Sequence, residues 1–156
     1  MEQYQERLYW HVRRLALGHE DANDVLQNCF IKVYRGIQNF EGKSRLYTWL
    51  YRIATNEAIT FLNQKKRRVA ASLEEGEGQL ARQLKADPYF DGDELQRRLL
   101  MALETLPEKQ RLVFQMRYFD ELSYQEMSDV LDTSVGALKA SFHHAVRKVE
   151  AYIRGE

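Results

Sequence analysis

The chain has 156 residues, enough for one ordinary domain or two small ones, and its 44% hydrophobic and 29% charged content excludes a disordered polymer. No apolar run reaches the roughly 18 residues a membrane helix needs, and the N-terminus is charged from its second residue, without the apolar stretch of a signal peptide. The 23 Lys and Arg balance 23 Asp and Glu to zero, but that zero is a sum of unlike parts. Residues 43–69 hold seven bases against the single acid Glu57, a local +6. Residues 70–94 hold seven acids against Arg82 and Lys85, a local −5, and residues 135–156 hold four bases against Glu150 and Glu156, a local +2. Phosphate affinity follows local charge rather than the total, so a nucleic-acid partner is not excluded. Cys29 is the only cysteine, so no internal disulfide forms, a metal site is poorly provided for, and a reducing cytoplasm is the natural compartment.

In chain order, residues 2–17 are predicted as a helix with Leu8, Val12 and Leu15 on one side. Gly18 and His19 break it, and Asp21 is placed to cap a second helix from about Ala22 to Ile37. Its inward stripe is Ala22, Leu26, Cys29, Val33 and Ile37, with Phe30 at the edge. Asp24, Gln27, Asn28 and Ile31 share another face at i, i+3, i+4 and i+7. An ordinary solvated surface has this composition, and so does a docking face for a partner helix. Gln38 to Ser44 (QNFEGKS) reads as a loop, with Ser44 the N-cap of a third helix running to about Lys66. There Leu46, Trp49 or Leu50, Ile53, Ala58, Phe61 and Leu62 serve the core. Tyr47, Thr48, Tyr51, Arg52, Thr55, Asn56 and Asn63 are left for the surface, followed by the basic run Lys65 to Arg68. Rings and amides interleaved with cations suit opened DNA, whose bases stack on aromatic faces while cations follow phosphates. A solvated helix with aromatic core-edge residues is the other reading of the same pattern.

Periodicity fades from Val69 to about Asp93, where EEGEGQ, Asp87-Pro88 and Asp91-Gly92 predict an acidic, flexible linker between domains 1–68 and 94–156. Beyond it, Leu95, Leu99, Ala102, Leu103 and Leu106 form an amphipathic helix ended by Pro107. Pro107, at a first helical position, opens the next helix, which carries Leu112, Val113, Met116 and Phe119. Ser123 to Glu126 is an S-x-x-E capping box, in which the hydroxyl and the carboxylate satisfy each other's orphan N–H groups. It starts a short helix with Met127, Val130 and Leu131 inward. Asp132, Thr133 and Ser134 break that helix, because short polar side chains compete for backbone hydrogen bonds. Ser134 caps a last helix from Val135 to about Tyr152, with Val135, Leu138, Phe142, Ala145 and Val149 as its apolar stripe. Its other surface, Gly136, Ala137, Lys139, Ala140, Ser141, His143, His144, Arg147 and Lys148, is small at first and then basic. Two helices, a three-residue turn and such a face describe a helix-turn-helix able to enter a DNA major groove, although a plain helical hairpin shares the pattern. No strand-like alternation occurs, so the expected fold is all-α, two small helical domains joined by the linker.

With these residues in place, the chain resembles the extracytoplasmic-function class of bacterial sigma factors, in the sigma-70 family, over nearly everything outside the linker. Asp24-Val-Leu-Gln27-Asn-Cys-Phe30 resembles the family's D-x-x-Q-x-x-F helix, which implies docking on the β′ clamp of RNA polymerase through Asp24, Gln27, Asn28, Phe30 and Ile31. Phe40 to Ser44 and Leu46 to Asn56 resemble the loop and helix that recognise and melt the −10 promoter element. That implies contacts from Asn39, Phe40, Lys43, Ser44, Tyr47, Tyr51, Arg52 and Asn56, with one base flipped into a pocket near the loop. Leu106-Pro-Glu-Lys-Gln-Arg and Leu122 through Lys139 resemble the domain that reads the −35 element. The face Ser134, Val135, Gly136, Ala137, Lys139, Ala140, Ser141, His143, His144 and Arg147 then meets the DNA, while the domain also contacts the β flap.

Two departures stand out. The family's first domain usually begins about a helix before the position of Met1. Where relatives often read S-V-G-T-V-K-S-R, this chain has Ser141 in place of the arginine, which moves load to His143, His144 and Arg147. Imidazoles titrate near physiological pH, so DNA affinity is expected to vary with pH. The implied function is promoter recognition for a stress- or envelope-responsive regulon, without cofactor, metal or catalysis, and with an anti-sigma factor as the regulator this class typically uses. A stand-alone helix-turn-helix regulator is the principal alternative, but it needs no strand-opening face. A helical adaptor leaves the basic clusters unexplained, and an enzyme lacks any nucleophile–base or metal-ligand spacing.

Overall fold

The structure, a computed structural model, describes residues 2–16, 18–42, 45–71 and 93–156. These residues contain seven α-helices and no strand, as the all-α expectation requires. The helices are α1 (Glu2–Ala16), α2 (His19–Gly36), α3 (Leu46–Ala71), α4 (Glu94–Glu104), α5 (Glu108–Tyr118), α6 (Tyr124–Leu131) and α7 (Val135–Arg154), with a 3-10 turn at Ile37–Asn39 after α2. Lys43, Ser44 and residues 72–92, most of the expected linker, lie outside the described residues. The chain divides into two compact units, α1 to α3 in one and α4, α5, α7 and most of α6 in the other.

In the first unit each of α1, α2 and α3 packs on the other two. The predicted stripes Leu8, Val12 and Leu15 of α1 and Ala22, Leu26, Cys29 and Val33 of α2 are buried, joined by Val25. Helix α2 begins earlier than expected, because Gly18 takes the extended N-cap position and the Ala22 amide donates to its carbonyl at 2.9 Å. Asp21 therefore lies within the first turn, where its carboxylate pairs with Lys65 of α3 at 3.1 Å. Ile37 leaves the inward stripe because the 3-10 turn rotates it outward, and it is 42% exposed.

Helix α3 departs most from expectation. Leu50, not Trp49, supplies the core, and Tyr51, Thr48 and Thr55, assigned to the surface from sequence, are buried. The cause is that α3 touches two helices, so more than one stripe of it is covered. The His11 ring of α1 packs on Tyr51 with centroids 4.5 Å apart, and His11 Nε2 lies 2.9 Å from Thr55 Oγ1. A hydrogen-bonded polar pair can be buried at modest cost, whereas an unpaired one cannot. The helix also continues past Lys66 to Ala71.

In the second unit Asp93 caps α4 by accepting from the Gln96 amide at 2.9 Å. Ala102, Leu103 and Leu106 join Phe114, Ala145 and Val149 in the core, but Leu95, expected there, is 59% exposed in the first turn of α4. Pro107 is the N-cap of α5 rather than its first helical residue. Helix α5 is enclosed, with Leu112, Val113, Phe114 and Met116 buried beside Arg111, whose guanidinium donates to Glu104 at 2.8 Å. The capping box forms as predicted: the Glu126 amide donates to Ser123 Oγ, and the Ser123 amide donates to Glu126 Oε1, both at 3.1 Å. Asp132 ends α6 in the left-handed region (φ 51°), where a short polar residue is tolerated better than a branched one. Ser134 then accepts from the Ala137 amide at 3.2 Å and starts α7, which packs on α4 and α5. Leu138, Ala145 and Val149 are its buried stripe; Val135 and Phe142 are half-buried.

Candidate nucleic-acid and partner interfaces

The sequence grouped Asp24, Gln27, Asn28 and Ile31, and in α2 all four are exposed on one face. Phe30 is half-buried at its edge. The face runs further than predicted, for Tyr34, three residues beyond Ile31, is 82% exposed. Two large apolar side chains held in water on one helix, with a carboxylate and two amides beside them, are the makings of a protein-docking surface. Its footing packs on α3. Lys32 is paired with Glu57 of α3, and Cys29 beneath is fully buried. That burial, with the Glu57 charge second and Lys32 opposing, pushes the Cys29 thiol up to about 11. The thiol is therefore protonated and inert, and it serves packing.

At the other end of α2 the 3-10 turn delivers Asn39 and Phe40. Phe40, half-buried, meets Trp49 of α3 with centroids 5.1 Å apart. A Cβ on Gly36 would come within 3.3 Å of the Trp49 ring, so the small residue lets the ring lie across the α2 terminus. Trp49 was read only as a core alternative to Leu50. The missed signal is its spacing of three and four residues from Arg52 and Arg45, which places it on the exposed face. Arg52 and Asn56 are exposed as predicted. Tyr51 is not available to a ligand, since it is 1% exposed. Tyr47 is half-buried within an aromatic ladder: Tyr4 lies 5.6 Å and Tyr51 4.6 Å from it, and the Arg7 guanidinium stands 4.6 Å over its ring. Arg7 and Tyr4, which the sequence did not single out, thus bring α1 to this surface. Lys43 and Ser44 lie outside the described residues.

In the second unit Ser134, Gly136, Ala137, Lys139, Ala140, His143, His144 and Arg147 are exposed, and Val135 and Ser141 are half-buried. An added Cβ on Gly136 would meet nothing within 4 Å, so the first turn of α7 is open to close approach. The Lys139 ammonium lies 5.7 Å from the Tyr124 ring, whose centroid the Arg117 guanidinium also approaches at 4.8 Å. Tyr124 therefore links the first turn of α6 to the basic face of α7. His143 and His144 follow, with rings 6.1 Å apart, directed differently on the helix rather than converging. Among the described residues no three His, Cys, Asp or Glu side chains cluster as a metal site would need, and no helix is long and apolar enough to cross a membrane.

Comparison with known proteins places these two surfaces in a single context. The family model for sigma-70 region 2 matches residues 1–68, and that for sigma-70 region 4 matches residues 96–149. The chain is 33% identical over 138 residues to the ECF RNA polymerase sigma-E factor of Escherichia coli K12, covering 83% of this chain and 72% of that protein. It is 31% identical over 155 residues to the RNA polymerase sigma-H factor of Pseudomonas aeruginosa, covering 94% and 80%. Its fold is similar to that of the sigma factor RpoE from Bartonella quintana, solved in complex with the anti-sigma factor NepR, with TM-score 0.74 at 20% identity and coverage of 96% and 91%. It is also similar to that of CnrH in complex with the cytosolic domain of CnrY, with TM-score 0.72 at 22% identity and coverage of 99% and 85%.

Proposed function

This chain belongs to the sigma-70 family, in its extracytoplasmic-function class, and we propose that its two units divide the reading of a promoter between them. It is a transcription-initiation factor that binds core RNA polymerase and directs it to promoter DNA; the family is not enzymatic, and RNA synthesis is the polymerase's chemistry. The first unit docks on the β′ clamp through the α2 face of Asp24, Gln27, Asn28 and Ile31, with Phe30 at its edge and Tyr34 extending it. Asn39 and Phe40, with Arg52 and Asn56, hold the opened −10 strand, and Trp49 supplies a ring that Tyr51, being buried, does not. A flipped base seated there offsets part of the few kcal/mol that unstacking costs. The second unit sets the −35 register through phosphate contacts at the first turn of α7 and from Lys139 and Arg147, while Ala137, Ala140 and Ser141 leave room for the groove floor. An anti-sigma factor restrains it, as with the similar fold from Bartonella quintana that was solved bound to one, and the regulon answers stress or envelope signals.

The observation that carries this reading is the exposed α2 face, on which Tyr34 is 82% and Ile31 48% in water. Mixing the protein with core polymerase and sizing the mixture tests it. Wild type is expected to co-elute, and Asp24→Arg combined with Gln27→Ala to lose at least about tenfold in affinity, as truncation at the centre of an interface does. A wild-type chain that ignores polymerase yet binds duplex DNA would make it an independent regulator.

A further inference from the structure

We propose that Gly36 is a positioning residue of the opened-strand surface; this rests on the promoter reading above. Having no side chain, it lets the Trp49 ring lie over the end of α2 beside Phe40, where an unpaired base can stack. Glycine is the less stable choice at a helical position, because it gives up more conformational freedom on folding than any other residue. It is favoured where the backbone takes a positive φ or where another group approaches closely. Gly36 closes α2 at φ −96° and ψ −13°, the conformation of the third residue of a type I turn, which most residues adopt. The backbone therefore does not require it. Close approach does: an added Cβ would stand 3.3 Å from Trp49 Cζ2 and 3.7 Å from Cη2. Among the described glycines, only Gly36 has another helix facing the position of its missing Cβ.

What the absent side chain permits is a particular ring geometry. Trp49 is half-buried, its ring centroid 5.1 Å from that of Phe40 and the two planes tilted by 43°. Rings at that separation are already in contact, so a base stacks on the pair rather than between its members. Asn39 beside Phe40 is exposed, as are Arg52 and Asn56 on the Trp49 side of α3. Rings for the bases, with a cation and amides for the backbone, are what a single strand requires. Bases within a duplex have their faces covered by their neighbours, so this seat selects the opened strand. A side chain at position 36 presses on the benzenoid edge of the indole. Alanine obliges the ring to give by a few tenths of an ångström, and valine, with two further methyl groups, displaces it from Phe40.

The test uses the full chain carrying Trp10→Phe, which leaves Trp49 as the only tryptophan, and a labelled mixed-sequence oligonucleotide offered as single strand and as duplex. The single strand is expected to quench Trp49 fluorescence. Gly36→Val is expected to weaken single-strand binding about fivefold or more, as the loss of one stacked base does, and to leave duplex binding within about twofold. Gly36→Ala is expected to shift the Trp49 emission and to give a smaller loss of the same kind. Its urea midpoint, followed by circular dichroism, should hold or rise, because alanine is the better helix residue. If Gly36→Val lowers that midpoint, Gly36→Ala decides alone. With Trp49→Phe, whose ring is smaller, binding should no longer depend on residue 36, a coupling that a general effect on folding does not produce. Unchanged single-strand affinity and emission would overturn the proposal. So would an equal loss on strand and duplex, a loss that simply adds to that of Trp49→Phe, or a parent chain that does not bind the strand. Co-elution with core polymerase, run in parallel, keeps the premises apart. If the parent fails to co-elute, the promoter reading falls while a strand-specific loss in the variants still stands. If the variants alone fail, Gly36 serves the polymerase interface and the proposal is wrong.

Discussion

The two units solve the same problem, enclosing a few helices around a small core, with different chemistry. The second gathers an unbroken apolar cluster, Ala102, Leu103, Leu106, Phe114, Ala145 and Val149, flanked by Leu99, Phe119, Phe142 and Ile153, with the Phe114 and Phe142 rings stacked 5.8 Å apart, and keeps its buried polar residues, Arg111, Gln115 and Asp120, outside that cluster. The first puts polar side chains among its apolar ones, with His11, Thr48 and Thr55 buried beside the whole of Tyr51. An apolar core announces itself in sequence as a stripe. A core that borrows Tyr, Thr and His does not, because the same residue types are the ordinary furniture of a solvated face. The difference decides which surfaces are available for DNA: the outer face of α7 is the one its sequence suggests, and the outer face of α3 is not.

The sharpest way to break that comparison is to remove Tyr51. If it is a core residue, Tyr51→Ala leaves a cavity between α1 and α3 and costs about 3–5 kcal/mol, as large aromatic truncations do. Tyr51→Phe, which keeps the ring against His11, should cost much less. Both tryptophans, Trp10 and Trp49, lie in α1 and α3, so the urea midpoint of tryptophan fluorescence reports on this unit. A Tyr51→Ala variant with an unshifted midpoint and weakened DNA binding would return Tyr51 to the surface that its sequence context suggested.

How far the sequence could be read follows from the same contrast. The helix-turn-helix was legible almost residue by residue, because each part is local: a capping box over four residues, a polar turn, a serine cap, and a stripe at three and four. The exposed face of α2 was legible too, since its inward stripe is apolar and the rest must face out. In α3 the reading failed at Thr48, Tyr51 and Thr55, and the last two are buried against His11, at least 40 positions away. No local pattern carries that information. Trp49 stood as an alternative to Leu50 for the complementary reason: a ring is expected inside, yet its spacing from Arg45 and Arg52 puts it toward the outer face, and Leu50 takes the core.

A smaller effect sharpens the comparison at the α2–α3 contact. Cys29 is buried, and its thiol is raised from the ordinary 9.0 to about 11, first by desolvation and then by Glu57, against the opposing charge of Lys32. A raised pKa means that the folded state resists ionisation. Its contribution is therefore whole below pH 9, declines between 9 and 11, and is gone above. A displacement of this size corresponds to an effect on the order of 2–3 kcal/mol. The measurement is the urea midpoint across that range for wild type against Cys29→Ala, in which the titrations of Tyr and Lys common to both cancel. Parallel profiles would mean that the thiol ionises as freely folded as unfolded.

The smallest effect belongs to the feature that was easiest to read. Ser123→Ala removes the acceptor for the Glu126 amide and breaks the reciprocal cap of α6, at a cost of about 1 kcal/mol. Helix α6 has only eight residues, too short to be stable alone, so its cap and its packing through Met127 and Val130 share the task of holding it. Ser123→Asp should restore most of the loss, since a carboxylate at this position accepts the same bond and favours the positive end of the helix. The check is the denaturation midpoint followed by far-UV circular dichroism. A loss of about 3 kcal/mol or more, beyond the ~2 kcal/mol ceiling for caps, would mean that the turn before α6 carries tertiary structure as well as a cap. Legibility and energy then run in opposite directions in this chain. Its local signals are conspicuous and each is worth about a kilocalorie, whereas the buried contacts of α3 leave no local trace and weigh several times more.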